Sequence, residues 1–392
     1  MMSIQSRREL LAAVAPRYWS ASKAQKKRIL DEFVASTGYH RKYAIHLLRN
    51  PPPPRRRQPR HRKPTYSLHV KAALIQLWRI ANCICAKRLV PYPPELIAVL
   101  ERHHELELDD HTKSLLLRLS SATADRLLRT ERQHYHRRGL GTTKPGTLLK
   151  KSICIRTFAD WNEAQPGFVE VDLVAHGGPS ARGHYLHSLV LTDIATGWSE
   201  CVALLNRGQR RVFQALVALR QHLPFPLLGI DSDNGVEFIN GHLLRYCQQQ
   251  HITFTRSREY KKNDQAHVEQ KNWCIVRQMV GYDRYVGTTA FRKLAALYRV
   301  LRLYVNFCQP VMKLMAKERV GSKVKKRYDT ARTPYQRVQE SSGIAAESKS
   351  HLRQQYLSLN PVTLLRQIES LQDDLWREAM VRFRNDATIP TR

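Results

Sequence analysis

Acidic side chains are scarce in this chain: 33 Asp plus Glu stand against 65 Lys plus Arg in 392 residues, a formal net charge of +32. A field of that sign disfavours cationic partners and favours a polyanion, nucleic acid first. Long apolar runs are missing too. No stretch approaches the roughly 20 apolar residues of a spanning helix. The opening Met1-Met2-Ser3-Ile4-Gln5-Ser6-Arg7-Arg8 has no signal-peptide apolar core, so the chain reads as soluble and intracellular, with no membrane partner. Cysteine is present but unorganised: Cys83, Cys85, Cys154, Cys201, Cys247, Cys274 and Cys308 make neither paired spacings nor a Cys-x-x-Cys knuckle. A disulfide framework is excluded, and the thiols are expected to be reduced and mostly buried. His103 and His104 beside Cys83 and Cys85 invite a zinc reading, but the spacing matches no usual finger.

At this length two to four domains are expected. Between Ser22 and Leu48, Ile29, Phe33 and Val34 mark one helix, Ser36-Thr37-Gly38 a break, and Tyr43, Ile45, Leu47 and Leu48 a second helix. This is the outline of a helix-turn-helix over residues 1–50, with His40, Arg41 and Lys42 directed at a major groove. A plain helical hairpin shows the same spacing, and the basic charge favours the DNA-reading version. Residues 51–65 follow as four prolines and then Arg55, Arg56 and Arg57, a stiff basic linker able to track phosphates. Residues 66–135 read as a second helical domain, with Ser121–Thr130 as a possible second recognition helix, and 136–164 as another linker.

The pattern then changes. Phe168–Val174, Tyr185–Asp193 and Trp198–Leu205 read as three antiparallel strands. A helix from Arg207, a strand over Pro226–Ile230, a helix around Leu243, a strand over Ile252–Thr255 and a closing helix over Ala266–Val280 complete the run. The sum is an α/β unit over 165–285, a mixed five-stranded sheet with flanking helices. Residues 286–392 read as a basic, mostly helical C-terminal region. It has a long helix over Ala290–Phe307, an irregular basic segment through Lys323 to Tyr335, and a last helix capped by Asn360 whose Leu364, Ile368, Leu371 and Leu375 suit packing on its own protein.

Within the sheet region three of the scarce acids stand out. Asp172 lies in an apolar strand, Asp233 opens Asp-Asn-Gly-Val-Glu-Phe after another strand, and Glu269 follows on the closing helix after 35 intervening residues. Phosphodiester chemistry needs an activated oxygen nucleophile and relief of charge on the leaving oxygen. Two divalent ions about 4 Å apart, held by carboxylates, supply both. Two like charges at 4 Å and an effective dielectric of 20 repel by about 4 kcal/mol, so converging carboxylates on an apolar sheet call for a cation, Mg²⁺ or Mn²⁺. Against this, Asp-Asn-Gly is a common turn and acid pairs at such separations are easily found. Glu170 and Asp231, two residues before Asp172 and Asp233, share their faces and read as supports. His176, Lys262, Asn263 and His267 read as contacts to DNA phosphates.

At Val169-Glu170-Val171-Asp172-Leu173-Val174, Thr192-Asp193, Ile230 to Asn240, Lys262 to Asn272 and Thr333-Pro334-Tyr335 the chain resembles the transposases of bacterial insertion sequences that share the retroviral integrase catalytic core. The resemblance covers about 165–340. It implies an RNase H-like fold, Asp172, Asp233 and Glu269 as catalytic metal ligands, and two Mg²⁺ or Mn²⁺ ions. It further implies hydrolysis of a strand at an element end followed by attack of the freed 3′ hydroxyl on target DNA. The expected partners are double-stranded DNA, as element ends and target, and further copies of the chain in a homo-oligomer on the nucleoid, with no small-molecule substrate. Two departures are visible. The basic residue many relatives carry seven positions after the glutamate is Val276 here, followed by Arg277, and the N-terminus lacks the His and Cys zinc domain of the retroviral relatives. A DNA-binding repressor with an inactive core, and an RNase H-like nuclease, are the alternatives.

Overall fold

Residues 2–52, 65–133, 154–155, 165–257 and 265–380 are described by this computed structural model, in which the chain divides into two units, Met1–Thr65 and Tyr66–Arg392. The first unit is built of α1 (Ile4–Ser20), α2 (Lys23–Thr37) and α3 (Arg41–Arg49). Ser22 and Gln25 cap α2 reciprocally, and Gly38 ends it in the left-handed region at φ +68°. Leu11, Tyr18, Leu30, Phe33, Ala44 and Leu48 form its core. Two of these helices follow the expected spacing. The first is additional: it carries Pro16, and its apolar residues run together from Leu10 to Ala15 instead of recurring at a helical period, which hides it from a periodicity reading.

The second unit begins with α4 (Leu68–Ile80), α5 (Ala86–Leu89), α6 (Pro93–Arg102), α7 (Asp110–Leu117), α8 (Ser121–Leu127) and α9 (Arg129–Arg132). They close around Leu74, Leu77, Trp78, Leu89, Ile97 and Leu100. The single helix expected over Ser121–Thr130 is broken at Leu128, which is fully buried in that core.

The sheet follows, with β1 (Cys154–Ile155), β2 (Phe168–Ala175), β3 (His187–Asp193), β4 (Ser199–Leu204), α10 (Gln209–Arg220), β5 (Gly229–Ser232), α11 (Gly241–Gln249), β6 (Thr253–Arg256) and α12 (Ala266–Lys271). Its order is β1-β6-β5-β2-β3-β4. β2, β3 and β4 pair antiparallel, whereas β5 joins β2, and β6 joins β5, in parallel. This is the mixed five-stranded sheet of the RNase H-like reading, with the two-residue β1 added at one edge. Alternation along β2 sorts its side chains. Val169, Val171 and Leu173 pack with Val212 and Leu216 of α10 and Leu243 of α11, while Val174 and Val190 on the other face pack with Val268 of α12. Glu170 and Asp172 share the parity of Val174 and therefore lie on the α12 face.

Beyond the sheet, α13 (Gly287–Cys308) packs its Leu294, Leu297 and Leu301 against that face and against α16 (Pro361–Arg377), whose Leu364, Ile368 and Leu375 are buried in the same cluster. The seam of the last helix is thus used within the chain. Asn360 caps it through bonds from the amides of Val362 and Thr363. Between these helices lie β7 (Leu314–Val320), β8 (Lys323–Tyr328), α14 (Pro334–Glu340) and α15 (Ala346–Ser358). The segment expected to be irregular is therefore an antiparallel hairpin followed by a capped helix. Its charge hid it, because an exposed ribbon has no apolar alternation to read. No described helix is long and apolar enough to cross a membrane.

Candidate active site

The register of the parallel pair brings the acids together. Glu170 stands opposite Asp231 and Val171 opposite Ser232, so Asp172 comes level with Asp233, the first residue past the end of β5. Two acid pairs therefore sit one above the other on the face crossed by α12. The lower pair is fully buried. Glu170 accepts hydrogen bonds at Oε2 from the backbone amides of His267 (3.1 Å) and Val268 (2.9 Å), and Asp231 accepts at Oδ1 from Thr255 Oγ1 (2.5 Å). Burial, and then the charge of Asp231, drive the Glu170 carboxyl well above the ordinary carboxylate range. By holding the first turn of α12, Glu170 fixes where the rest of that helix lies.

Consequently a substitution at Glu170 separates shape from charge. Glu170→Gln keeps an oxygen for both amides and should cost no more than about 1 kcal/mol of stability. Glu170→Ala strands them and should cost about 1–3 kcal/mol. Urea unfolding of the two variants checks this.

The upper pair is half-buried. Asp172 accepts from the Leu173 amide at Oδ1 (2.7 Å) and from Asn272 Nδ2 at Oδ2 (2.6 Å). Burial, followed by the charge of Asp233, pushes its pKa up to about 7, and Glu269 adds to the same rise. Burial raises Asp233 as well, against the opposing bond that the Gly235 amide donates to its Oδ1 (2.9 Å). A Cβ at position 235 would meet Asp233 Oδ1 and Glu237 Cδ at 2.8 Å each, so only glycine lets the turn fold this closely over the two carboxyls. Asn234 locks the end of β5 to β6, donating to the Ser257 carbonyl (2.9 Å) and accepting from Arg256 (3.0 Å).

Glu269 is on α12, within electrostatic range of Asp172, and its side chain is exposed. Among the described residues no group of three or more His, Cys, Asp or Glu side chains is arranged to hold a metal ion. What the fold assembles is a carboxylate pair with a third acid beside it, rather than a closed cage. The donor set suits a hard divalent cation: two adjacent carboxyl groups, each with raised proton affinity, gain when a cation replaces the proton.

Asn272 is a site residue that the acid spacing does not reveal. It lies three positions after Glu269, on the same side of the helix, where the chain passes into a π-helical turn over Asn272–Arg277. Its i+3 position was the available signal. Glu237 is likewise close: its carboxyl is raised by burial, with Asp233 adding to the rise. Arg277 stacks on the Tyr282 ring (4.8 Å to the centroid) and lies within electrostatic range of Asp172, so a cation does approach the pair from this helix.

The expected DNA contacts fare differently. His40, Arg41 and Lys42 are exposed at the start of α3, with Arg41 paired to Asp31. His267 is half-buried, and burial lowers its pKa to about 4, so at neutral pH its ring carries no charge for a phosphate. His176 is a correction: it is fully buried, with Nε2 2.7 Å from Ser188 Oγ, which in turn lies 2.5 Å from the Tyr298 hydroxyl. It braces the sheet against α13 and, being buried, presents no surface to a phosphate. Arg55, Arg56, Arg57, Lys262 and Asn263 lie outside the described residues.

No model of a known protein family matches the chain. Among solved structures, the catalytic core domain of BIV integrase is similar at 16% identity, covering 43% of this chain and 91% of that one with a TM-score of 0.28. The HTLV-2 integrase catalytic core domain in complex with magnesium is similar at 15% identity over 38% of this chain and 91% of that one, also with a TM-score of 0.28. A relative in Sinorhizobium fredii (strain NBRC 101917 / NGR234), the uncharacterized protein y4rM, is 47% identical over 332 residues, 83% of this chain and 93% of that protein. On that identity and coverage, the chain belongs to the y4rM family.

Proposed function

We propose that this protein is an integrase-type DNA transposase that binds element ends, cleaves a strand there and transfers the freed 3′ hydroxyl into target DNA. One observation carries the reading: the parallel register of β2 and β5 sets Asp172 level with Asp233, on the face crossed by the helix bearing Glu269. Asp172, Asp233 and Glu269 are the residues that would hold Mg²⁺ or Mn²⁺. Bound there, a divalent ion activates the attacking oxygen and offsets charge on the leaving one. Asp172 and Asp233 supply the two fixed carboxylates, Glu170 fixes α12, and Asn272 orients the Asp172 carboxyl through its amide. The exposed start of α3, with His40, Arg41 and Lys42, is assigned to reading the element end. The net charge of +32 supports duplex DNA as the partner. Joining two ends in one event calls for a homo-oligomer.

The test is a strand-transfer assay with Mg²⁺, using duplexes copied from the DNA flanking the gene and a labelled target. Joined product is expected. Strand cleavage without joining points to a nuclease instead, and duplex binding without either reaction points to a repressor.

A further inference from the structure

The hairpin of β7 and β8 is absorbed by nothing above. Its base is firmly rooted. The Lys313 amide donates to Asp329 Oδ1 (2.6 Å), the Asp329 amide to the Lys313 carbonyl (3.0 Å), and Arg337 pairs with Asp329 at 2.8 Å. Lys313 Nζ reaches the Ala195 carbonyl (2.6 Å) in the turn after β3. Beyond this root, residues 315–319 and 324–328 are all exposed, so neither face of the ribbon is covered. A two-stranded hairpin without a buried face is marginal in water, and this one has no core of its own.

Charge is distributed unequally between its two faces. Cross-strand partners share a face. Lys317 stands opposite Lys326 and Arg319 opposite Val324 on one face, while Glu318 stands opposite Lys325 on the other. The first face thus carries Lys317, Arg319 and Lys326 beside Val324 with no acid among them, whereas on the second, where Arg327 stands opposite Ala316, Glu318 offsets part of the charge. Pairing of the ribbon edge with a second copy is one way to cover the ribbon, and a lysine-rich edge opposes that.

We propose that the β7–β8 ribbon is an arm that grips the phosphate backbone of double-stranded DNA through Lys317, Arg319 and Lys326. This rests on the transposase reading for the identity of the polyanion. Position supports it. Ala195 follows Ile194, whose amide bonds to the Phe168 carbonyl, and four strand residues, roughly 13 Å, separate Phe168 from Asp172. The root of the ribbon thus lies within one helical turn of B-DNA, ~34 Å, of the carboxylate pair, a separation that a single duplex is long enough to bridge.

The experiment compares K317Q/R319Q/K326Q with wild type and with R353Q/R366Q/R377Q, which removes the same charge from other exposed positions. Affinity for a random-sequence 30-bp duplex is measured by fluorescence anisotropy between 50 and 200 mM KCl, with circular dichroism melts to confirm folding and sedimentation to follow self-association. The ribbon variant should lower the magnitude of the slope of log K against log salt by about 2–3, near 0.9 for each phosphate it no longer neutralises, while the control stays near wild type. A ribbon variant with the wild-type slope overturns the arm, as does one that alters only self-association. A wild-type protein that fails to bind duplex DNA overturns the transposase reading as well, which keeps the two failures apart.

Discussion

Asp172→Asn protein is expected to bind duplex DNA as wild type does and to join ends about 10³-fold more slowly. The substitution keeps shape and hydrogen bonding. An Asn at this position retains one oxygen for the Leu173 amide, now 2.7 Å from Oδ1, and its own amide donates to Asn272 once the Asn272 side chain turns its oxygen inward. It removes one of the two adjacent carboxylates that suit a divalent cation. Transition-state charge stabilisation by a metal is worth several kcal/mol, and each ~1.4 kcal/mol is tenfold in rate, which sets the size of the loss. Asp233→Asn should behave alike, because the two side chains occupy one register level. Single-turnover strand transfer, with duplex affinity measured in parallel, is the check. A rate loss that merely follows a loss of affinity would point to a fold defect instead.

The same carboxyl makes stability depend on pH in an uncommon direction. Its pKa rises from the ordinary 3.8 to about 7, so the folded protein holds a proton that the unfolded chain releases. Below pH 4 both states are protonated and there is no penalty. Between pH 4 and 7 stability falls as pH rises, and above 7 the deficit levels off at up to about 4 kcal/mol, shared with Asp233 because the pair titrates together. In chelator at pH 8, Asp172→Asn should therefore be more stable than wild type, with the difference vanishing near pH 4. Mg²⁺ should close the gap by stabilising wild type alone. Urea unfolding of both proteins across pH 4–8, with EDTA and with Mg²⁺, tests this, and parallel pH curves in EDTA would overturn it.

Much of the sheet was legible because its strands bury one or both faces and so carry an apolar signature: Phe168 to Val174 reads as β2 almost to the residue. Asp233 was legible through the turn chemistry of Asp-Asn-Gly, and Glu170 through strand parity with Asp172. Other features left weaker marks. The two exposed strands of the hairpin have no hydrophobic period, the apolar residues of α1 run together from Leu10 to Ala15 without a helical period, and the π-helical turn after Lys271 leaves the apolar pattern of the expected helix intact. Asn272 enters the site through that turn, and composition alone could not single it out. As a polar residue just past a strand His176 resembles a loop ligand in sequence, whereas a bond to Ser188 of β3 holds it inside.

Direct observation of the cation decides whether Asp172 and Asp233 form one site. Wild-type protein titrated with Mn²⁺ at pH 7.5, free ion being counted by electron paramagnetic resonance, should show bound Mn²⁺ that is lost in Asp172→Asn and equally in Asp233→Asn, while Glu170→Gln retains it. Undiminished Mn²⁺ binding by either Asp variant would contradict the account.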